Sequence, residues 1–186
     1  MAIKVVVLGG TAGTGKTSIA EVLYENLKHT KDYSGVEYIE GDHLHPKSNV
    51  EKMAHGIPLQ DEDRWGWLEQ VSKTSTEAAK KHKGLCVITC SSLKKSYRDY
   101  IRTTCPETHF YFVILYGSKE EILNRLENRK GHFMKANMMD SQFADLELPK
   151  PDEPGCHIEY LDGKSYEEIN RDTLDTVCDL LQIDST

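Results

Sequence analysis

No stretch of this sequence approaches the roughly 20 consecutive apolar residues that a membrane-crossing helix needs. The apolar run Ile3–Leu8 is too short for the core of a signal peptide and has no cleavage site after it, so it reads as a buried strand. Basic residues are outnumbered: 23 Lys and Arg face 30 Asp and Glu, a net charge of −7, which argues against a general nucleic-acid binder. The five cysteines are odd in number and form no Cys-x-x-Cys pair, so neither a disulfide framework nor a zinc ribbon fits. Cys86 and Cys90 lie at even spacing in an apolar strand, where core packing in a reducing cytoplasm suits them. No repeat or low-complexity block occurs. Three of the six prolines fall in "LPKPDEPG", Leu148 to Gly155, which reads as a surface loop.

With those classes set aside, 186 residues with 38% hydrophobic side chains suit one domain with a sizeable core. Strand and helix patterns alternate along it. Strands are expected at Ile3–Leu8, Val36–Ile39, Leu85–Cys90, Phe110–Tyr116 and His157–Leu161. Helices are expected at Lys16 to about Leu27, Asp61–Lys81, Ser92–Thr103, Ser118 to about Asn128, and Ser165–Leu181. Ser118 caps one of these, Ser165 and Glu168 open another, and Asp61 and Asp63 suit the positive start of the long one. Strands joined by crossover helices imply an α/β fold, a parallel sheet covered on both faces.

Between the first strand and the first helix stands "GTAGTGKT", which matches the P-loop pattern G-x-x-x-x-G-K-[ST]. Its glycines let the backbone wrap tightly and aim N–H groups at phosphate oxygens. Gly10, Thr11, Ala12, Gly13, Thr14, Gly15 and Ser18 would cradle a nucleoside triphosphate. Lys16 would reach its β- and γ-phosphates, and the Thr17 hydroxyl would hold Mg²⁺. A chance glycine-rich turn is the plainer reading, and the placement between strand and helix weighs against it. No Asn-Lys-x-Asp reads a guanine, and the third strand ends in "CSS" where a motor ATPase would carry an acid. A small kinase remains, in which a second substrate comes to the phosphate.

Three further stretches make that reading specific: "GDHLHPKSNVEKMAHGIPLQDEDRWGWL" (Gly41–Leu68), "CSSLKKSYRDYIR" (Cys90–Arg102) and "RKGHFMKANMMDSQFADLELP" (Arg129–Pro149). Together with the P-loop they resemble the gluconokinase family, relatives of the shikimate and nucleoside monophosphate kinases. The resemblance implies a P-loop kinase fold in one domain, with a five-stranded parallel sheet, a helical substrate-binding segment at about 42–82 and a mobile lid at about 129–150. It implies transfer of phosphate from ATP, with Mg²⁺, to D-gluconate, giving 6-phosphogluconate for the pentose phosphate pathway. The family tends to form homodimers.

Site residues follow from placement and resemblance together. Asp42, past the second strand at the ligand edge of a parallel sheet, is the candidate to orient the hydroxyl and take its proton. An acid two positions earlier accompanies it in shikimate kinases, and here that place belongs to Glu40. His43 can meet the substrate, and His45, before Pro46, can order the loop; two histidines without further ligands make no zinc site. For the gluconate carboxylate the candidates are Arg64, Lys94 and Arg98, the last two four apart on one expected helical face. The lid-like stretch offers Arg125 and Arg129 to the phosphates and His132 to gluconate, with Phe133, Met134, Met138 and Met139 as lid packing. Trp65 and Trp67 face different ways, one able to shield the pocket, with core or dimer packing equally open.

Overall fold

A computed structural model describes residues 2–82, 84–127 and 136–182. Five parallel strands form its sheet: β1 (Ile3–Gly9), β2 (Glu37–Glu40), β3 (Leu85–Thr89), β4 (Thr108–Tyr116) and β5 (Cys156–Tyr160), in the order β2-β3-β1-β4-β5. The helices are α1 (Lys16–Leu27), α2 (Lys47–Ala54), α3 (Asp61–Lys81), α4 (Lys95–Thr104), α5 (Lys119–Glu127), α6 (Ala136–Asp145) and α7 (Tyr166–Leu181). No described helix is long and apolar enough to cross a membrane.

The central strand explains the two layers. Side chains of a strand alternate between faces, and β1 is apolar and buried throughout Val5–Leu8 because both faces are covered there. Val5 and Val7 join Cys86, Ile88, Phe112 and Ile114 beneath α3 and α4, where Leu68, Val71 and Ile101 close the core. Val6 and Leu8 join Val87, Val113 and Leu115 on the opposite face, beneath Ile19, Leu23 and Leu27 of α1 and Val177 of α7. Each such aliphatic side chain, fully buried, contributes about 1.5–3 kcal/mol.

Register then sets the site. Leu8 pairs with Thr89, Thr89 with Glu40, and Gly9 with Ile114. The C-terminal ends of four strands therefore lie in line at one edge. The chain leaves β1 for β2 and β3 on one side and crosses to β4 on the other, so that edge opens into a crevice beside the end of β1.

The expected strands and helices lie within a few residues of the observed ones, and the cap at Ser165 accepts from the Glu168 N–H at 3.1 Å. Ser118 likewise accepts from the Glu121 N–H at 3.2 Å. One boundary differs. The helix after β3 begins at Lys95, not Ser92, because Cys90–Lys94 continues along the sheet edge. Its Cys90 N–H donates to Leu8 O at 3.0 Å, its Ser91 carbonyl accepts from Gly10 N–H at 2.9 Å, and Ser92 takes a left-handed φ of 49°. The four-apart pairing of Lys94 and Arg98 on a helical face is lost with it, since Lys94 is the extended residue before the helix. The helix α2 has no counterpart among the periodic patterns, its eight residues falling within the expected substrate-binding segment.

Candidate active site

The loop after β1 turns at Gly10, whose φ of 128° and the 2.4 Å that would separate a Cβ from the Leu115 carbonyl admit only glycine. Thr14 Oγ1 donates back to Thr11 O at 2.9 Å and tightens the loop. Gly15 opens α1 in the left-handed region with no side chain capping the first turn, so the helix presents bare N–H groups at its positive end. Lys16 folds back over the loop, its ammonium donating to Gly10 O at 3.0 Å and Thr11 O at 2.9 Å. Burial lowers its pKa, opposed by the charges of Asp42 and Glu40. The Cys90 thiol beside it is pushed up to about 11 by burial and stays protonated at neutral pH.

Glu40 at the end of β2 gathers three hydroxyls: Thr17 at 2.9 Å, Thr89 at 2.6 Å and Tyr38 at 2.5 Å. Burial alone would raise its pKa; those hydrogen bonds and the charge of Lys16 outweigh it and hold the carboxyl below its usual range. A hard oxygen pair, Thr17 Oγ1 and an ionised Glu40, therefore stands at the P-loop, the kind of donor set that suits Mg²⁺ completed by phosphates and water.

Beyond Glu40 the chain makes a single 3₁₀ turn, Gly41–Leu44. Gly41 packs so tightly on β3 that a Cβ would lie 1.8 Å from Thr89 O. The Asp42 carboxylate stands out from this turn, about two-thirds exposed. Lys16, Asp42 and Arg64 line one cavity of about 440 Å³, together with His45, Trp67 and Gln142.

Arg64, in the first turns of α3, is 8% exposed; its Nη1 donates to Tyr97 Oη at 2.6 Å and to Asp145 Oδ2 at 2.9 Å. Lys94 stands behind it, 3.0 Å from Asp61 and 3.8 Å from Asp145. Tyr97 links the pairs, donating to Asp61 at 2.5 Å, and burial followed by that hydrogen bond raises it to about 12. From α6, Gln142 Oε1 accepts from the Ala12 N–H of the P-loop at 2.7 Å.

Three of the substrate residues read from sequence are not where they were expected. Arg98 is completely buried and spends its donors internally: two on Glu153 at 2.7 and 2.9 Å, the others on the carbonyls of Ser92, Leu93 and Glu147. It buttresses the loop after β3 and cannot meet a ligand. His43 points to solvent and does not line the cavity. Lys94 stops short of the cavity, held by Asp61. Arg125 pairs with Glu121 at 3.1 Å on α5. Arg129, His132, Phe133 and Met134 lie outside the described residues, and Met139 is buried in the core beneath α1. Trp67 packs in the buried core and lines the pocket, while Trp65 packs edge-on to Tyr97 of α4 at 5.7 Å. Asp145 and Gln142, which sequence reasoning did not select, sat inside the quoted "DSQFADLELP" without a periodic or motif signal of their own.

A P-loop, an acid just past the next strand end and an arginine of α3 on one cavity are the arrangement of a kinase of small molecules. The AAA domain family profile matches residues 6–145. A probable gluconokinase of Saccharomyces cerevisiae is 56% identical over 178 residues, covering 94% of this chain and 90% of that protein. The thermosensitive gluconokinase of Escherichia coli is 43% identical over 147 residues, 79% of this chain and 73% of that one. Among solved structures, a gluconokinase from Sinorhizobium meliloti superposes with a TM-score of 0.81 at 35% identity, covering 96% of this chain and 94% of that one. The chain belongs to the gluconokinase family.

Proposed function

We propose that this chain transfers the γ-phosphoryl group of ATP to the 6-hydroxyl of D-gluconate, giving 6-phospho-D-gluconate and ADP. The observation that carries the reading is one cavity lined by the P-loop lysine, an exposed carboxylate at the end of β2 and a buried arginine. The P-loop amides and Lys16 bind the phosphates and neutralise charge as it moves. Asp42 orients the hydroxyl and accepts its proton. Arg64 takes the carboxylate through its planar fork. Thr17, with Glu40 behind it, would hold Mg²⁺, which when bound would help neutralise the charge of the phosphates.

Both anions meet a place already taken. Asp145 stands on Arg64 where the gluconate carboxylate would sit, and Gln142 Oε1 occupies an N–H that a phosphate oxygen would use. The two residues are three apart on α6 and share a face, so binding displaces one element from both places. Such a displacement fits the lid expected at 129–150, with Arg129 in it and Arg125, on α5 ahead of it, as the cations offered to the phosphates. Five free thiols suit the cytoplasm, the product would enter the pentose phosphate pathway, and the family resemblance leads us to expect a homodimer.

The test is Asp42→Asn, which can still accept a hydrogen bond but cannot take the proton. Calorimetry should find gluconate bound, while kcat at saturating ATP and Mg²⁺ falls by about 10²–10⁴. An unchanged kcat would make Asp42 a turn residue. Lost ATP binding with gluconate retained would place it on the metal.

A further inference from the structure

His45 is, among the described residues lining the pocket, the one titratable side chain that the reaction as described leaves without a task, and its surroundings are unusually specific. It follows the 3₁₀ turn that carries Asp42, and its side chain is only 3% exposed. The ring lies on the indole of Trp67, centroids 3.9 Å apart and planes 19° from parallel. Trp67 is itself pinned, its Nε1–H donating to Gly41 O at 2.9 Å. The ring plane of His45 is thereby fixed to the backbone of the same turn.

The tautomer is fixed as well. Asn49 Nδ2 lies 2.7 Å from the Asp63 carbonyl and 3.1 Å from His45 Nδ1. A carbonyl only accepts, so that atom is the amide nitrogen, and its second hydrogen points at Nδ1. Nδ1 must then be the bare acceptor, which leaves the ring proton on Nε2. Burial, joined by the positive charge of Arg64 and opposed by Asp42, lowers the pKa, which favours the neutral ring. The Nε2 atom is 3.9 Å from Asp42 Oδ1. That is too long for a hydrogen bond, yet the exposed carboxylate needs only a side-chain rotation to close it, and catalytic hydrogen bonds commonly tighten when substrate binds.

We propose that His45 is a positioning residue for Asp42: its Nε2–H holds one carboxylate oxygen so that the other faces the acceptor hydroxyl. The inference rests on Asp42 being the base. The proton of the hydroxyl goes to the free oxygen of Asp42; His45 neither gains nor loses one. Its ring is held by Trp67 and Asn49 so that the hydrogen bond costs little ordering when it forms.

Two variants separate this role from packing. His45→Phe keeps a flat ring on Trp67 and loses the donor. His45→Gln loses much of the stack and keeps an N–H near the same place. Positioning predicts that His45→Phe lowers kcat by roughly 10- to 100-fold with gluconate KM nearly unchanged, and that His45→Gln regains most of it. In an Asp42→Asn background, His45→Phe should then cost less than about twofold, because the group it positions is gone. Imidazole ¹⁵N shifts of the wild-type enzyme should show Nε2 protonated and Nδ1 bare. Full activity in a folded His45→Phe, or activity that follows the stack and not the donor, would make the residue packing and overturn the proposal. A raised gluconate KM with kcat intact would make it a substrate contact and overturn it too. If Asp42→Asn alone leaves kcat unchanged, the base assignment falls and this inference with it; if only the His45 variants are silent, the base assignment stands.

Discussion

Replacing Arg98 by methionine separates its two possible roles. The side chain keeps an unbranched apolar stem that reaches about as far as Nε, and loses five donors that serve Glu153 and three carbonyls. Glu153 is 7% exposed and would retain only Arg102, at 2.8 Å, as a charged partner. Removing one partner of a buried pair costs about 3–5 kcal/mol, since the other charge is left without compensation. For a domain of this size each kcal/mol moves Tm by about 2–4 °C, so the variant should melt roughly 6–20 °C lower. The lowered pKa of Glu153 reports the same contacts from the carboxylate's side. Burial would raise its pKa, but the hydrogen bonds from Arg98 and Arg102 pull it down to about 2, from an ordinary 4.5. A depressed carboxylate stabilises above its unfolded pKa, here by about 3 kcal/mol. That stability is lost as pH falls from about 4.5 to 2.

The assay is paired thermal melts, at neutral pH and at pH 3, with steady-state kinetics at a temperature where both proteins are folded. The wild type should lose stability between the two pH values by more than Arg98→Met does, and gluconate KM should move little beside Tm. Replacing Glu153 with methionine in the same chain should recover part of the loss, because an apolar pair leaves no buried charge. An unchanged Tm with a strongly raised gluconate KM would refute the reasoning and return Arg98 to the substrate.

Lys16→Ala should abolish turnover and leave the melting temperature close to wild type, because its ammonium serves phosphate and makes only two hydrogen bonds to loop carbonyls; turnover near normal would remove the P-loop assignment. Arg64→Ala should raise gluconate KM roughly 10- to 100-fold and ATP KM little, the range for a lost hydrogen bond to a charged group. Asp145→Asn should act the other way, lowering gluconate KM several-fold by withdrawing the carboxylate that competes for Arg64; parallel rises in both variants would make the pair structural.

What could be read along the chain was whatever the local backbone decides. The P-loop depends on glycines within eight residues, and Gly10, Gly13 and Gly15 all hold positive φ. The caps at Ser118 and Ser165 depend on an N–H three residues away. The strand faces follow from alternation, with both faces of β1 filled by apolar neighbours. Placing Asp42 beside Lys16 needed only the rule that ligands meet the C-terminal edge of a parallel sheet.

Charged side chains escaped that logic, because their roles depend on which distant partner arrives. Arg64 and Arg98 are the same residue type, both near the ligand edge. Arg98 is claimed by Glu153, 55 positions later, from a proline-rich stretch that reads as a surface loop yet buries its acid. Arg64 meets Asp145, 81 positions later, at the cavity wall, with a single carboxylate oxygen on one nitrogen of its fork. The first pairing is bidentate and sealed from water; the second is single and borders the pocket. The structural role of Arg98 and the binding role proposed for Arg64 therefore differ in the depth and valency of the carboxylate partner. That property belongs to the packed chain, and no spacing within Cys90–Arg102 could have carried it.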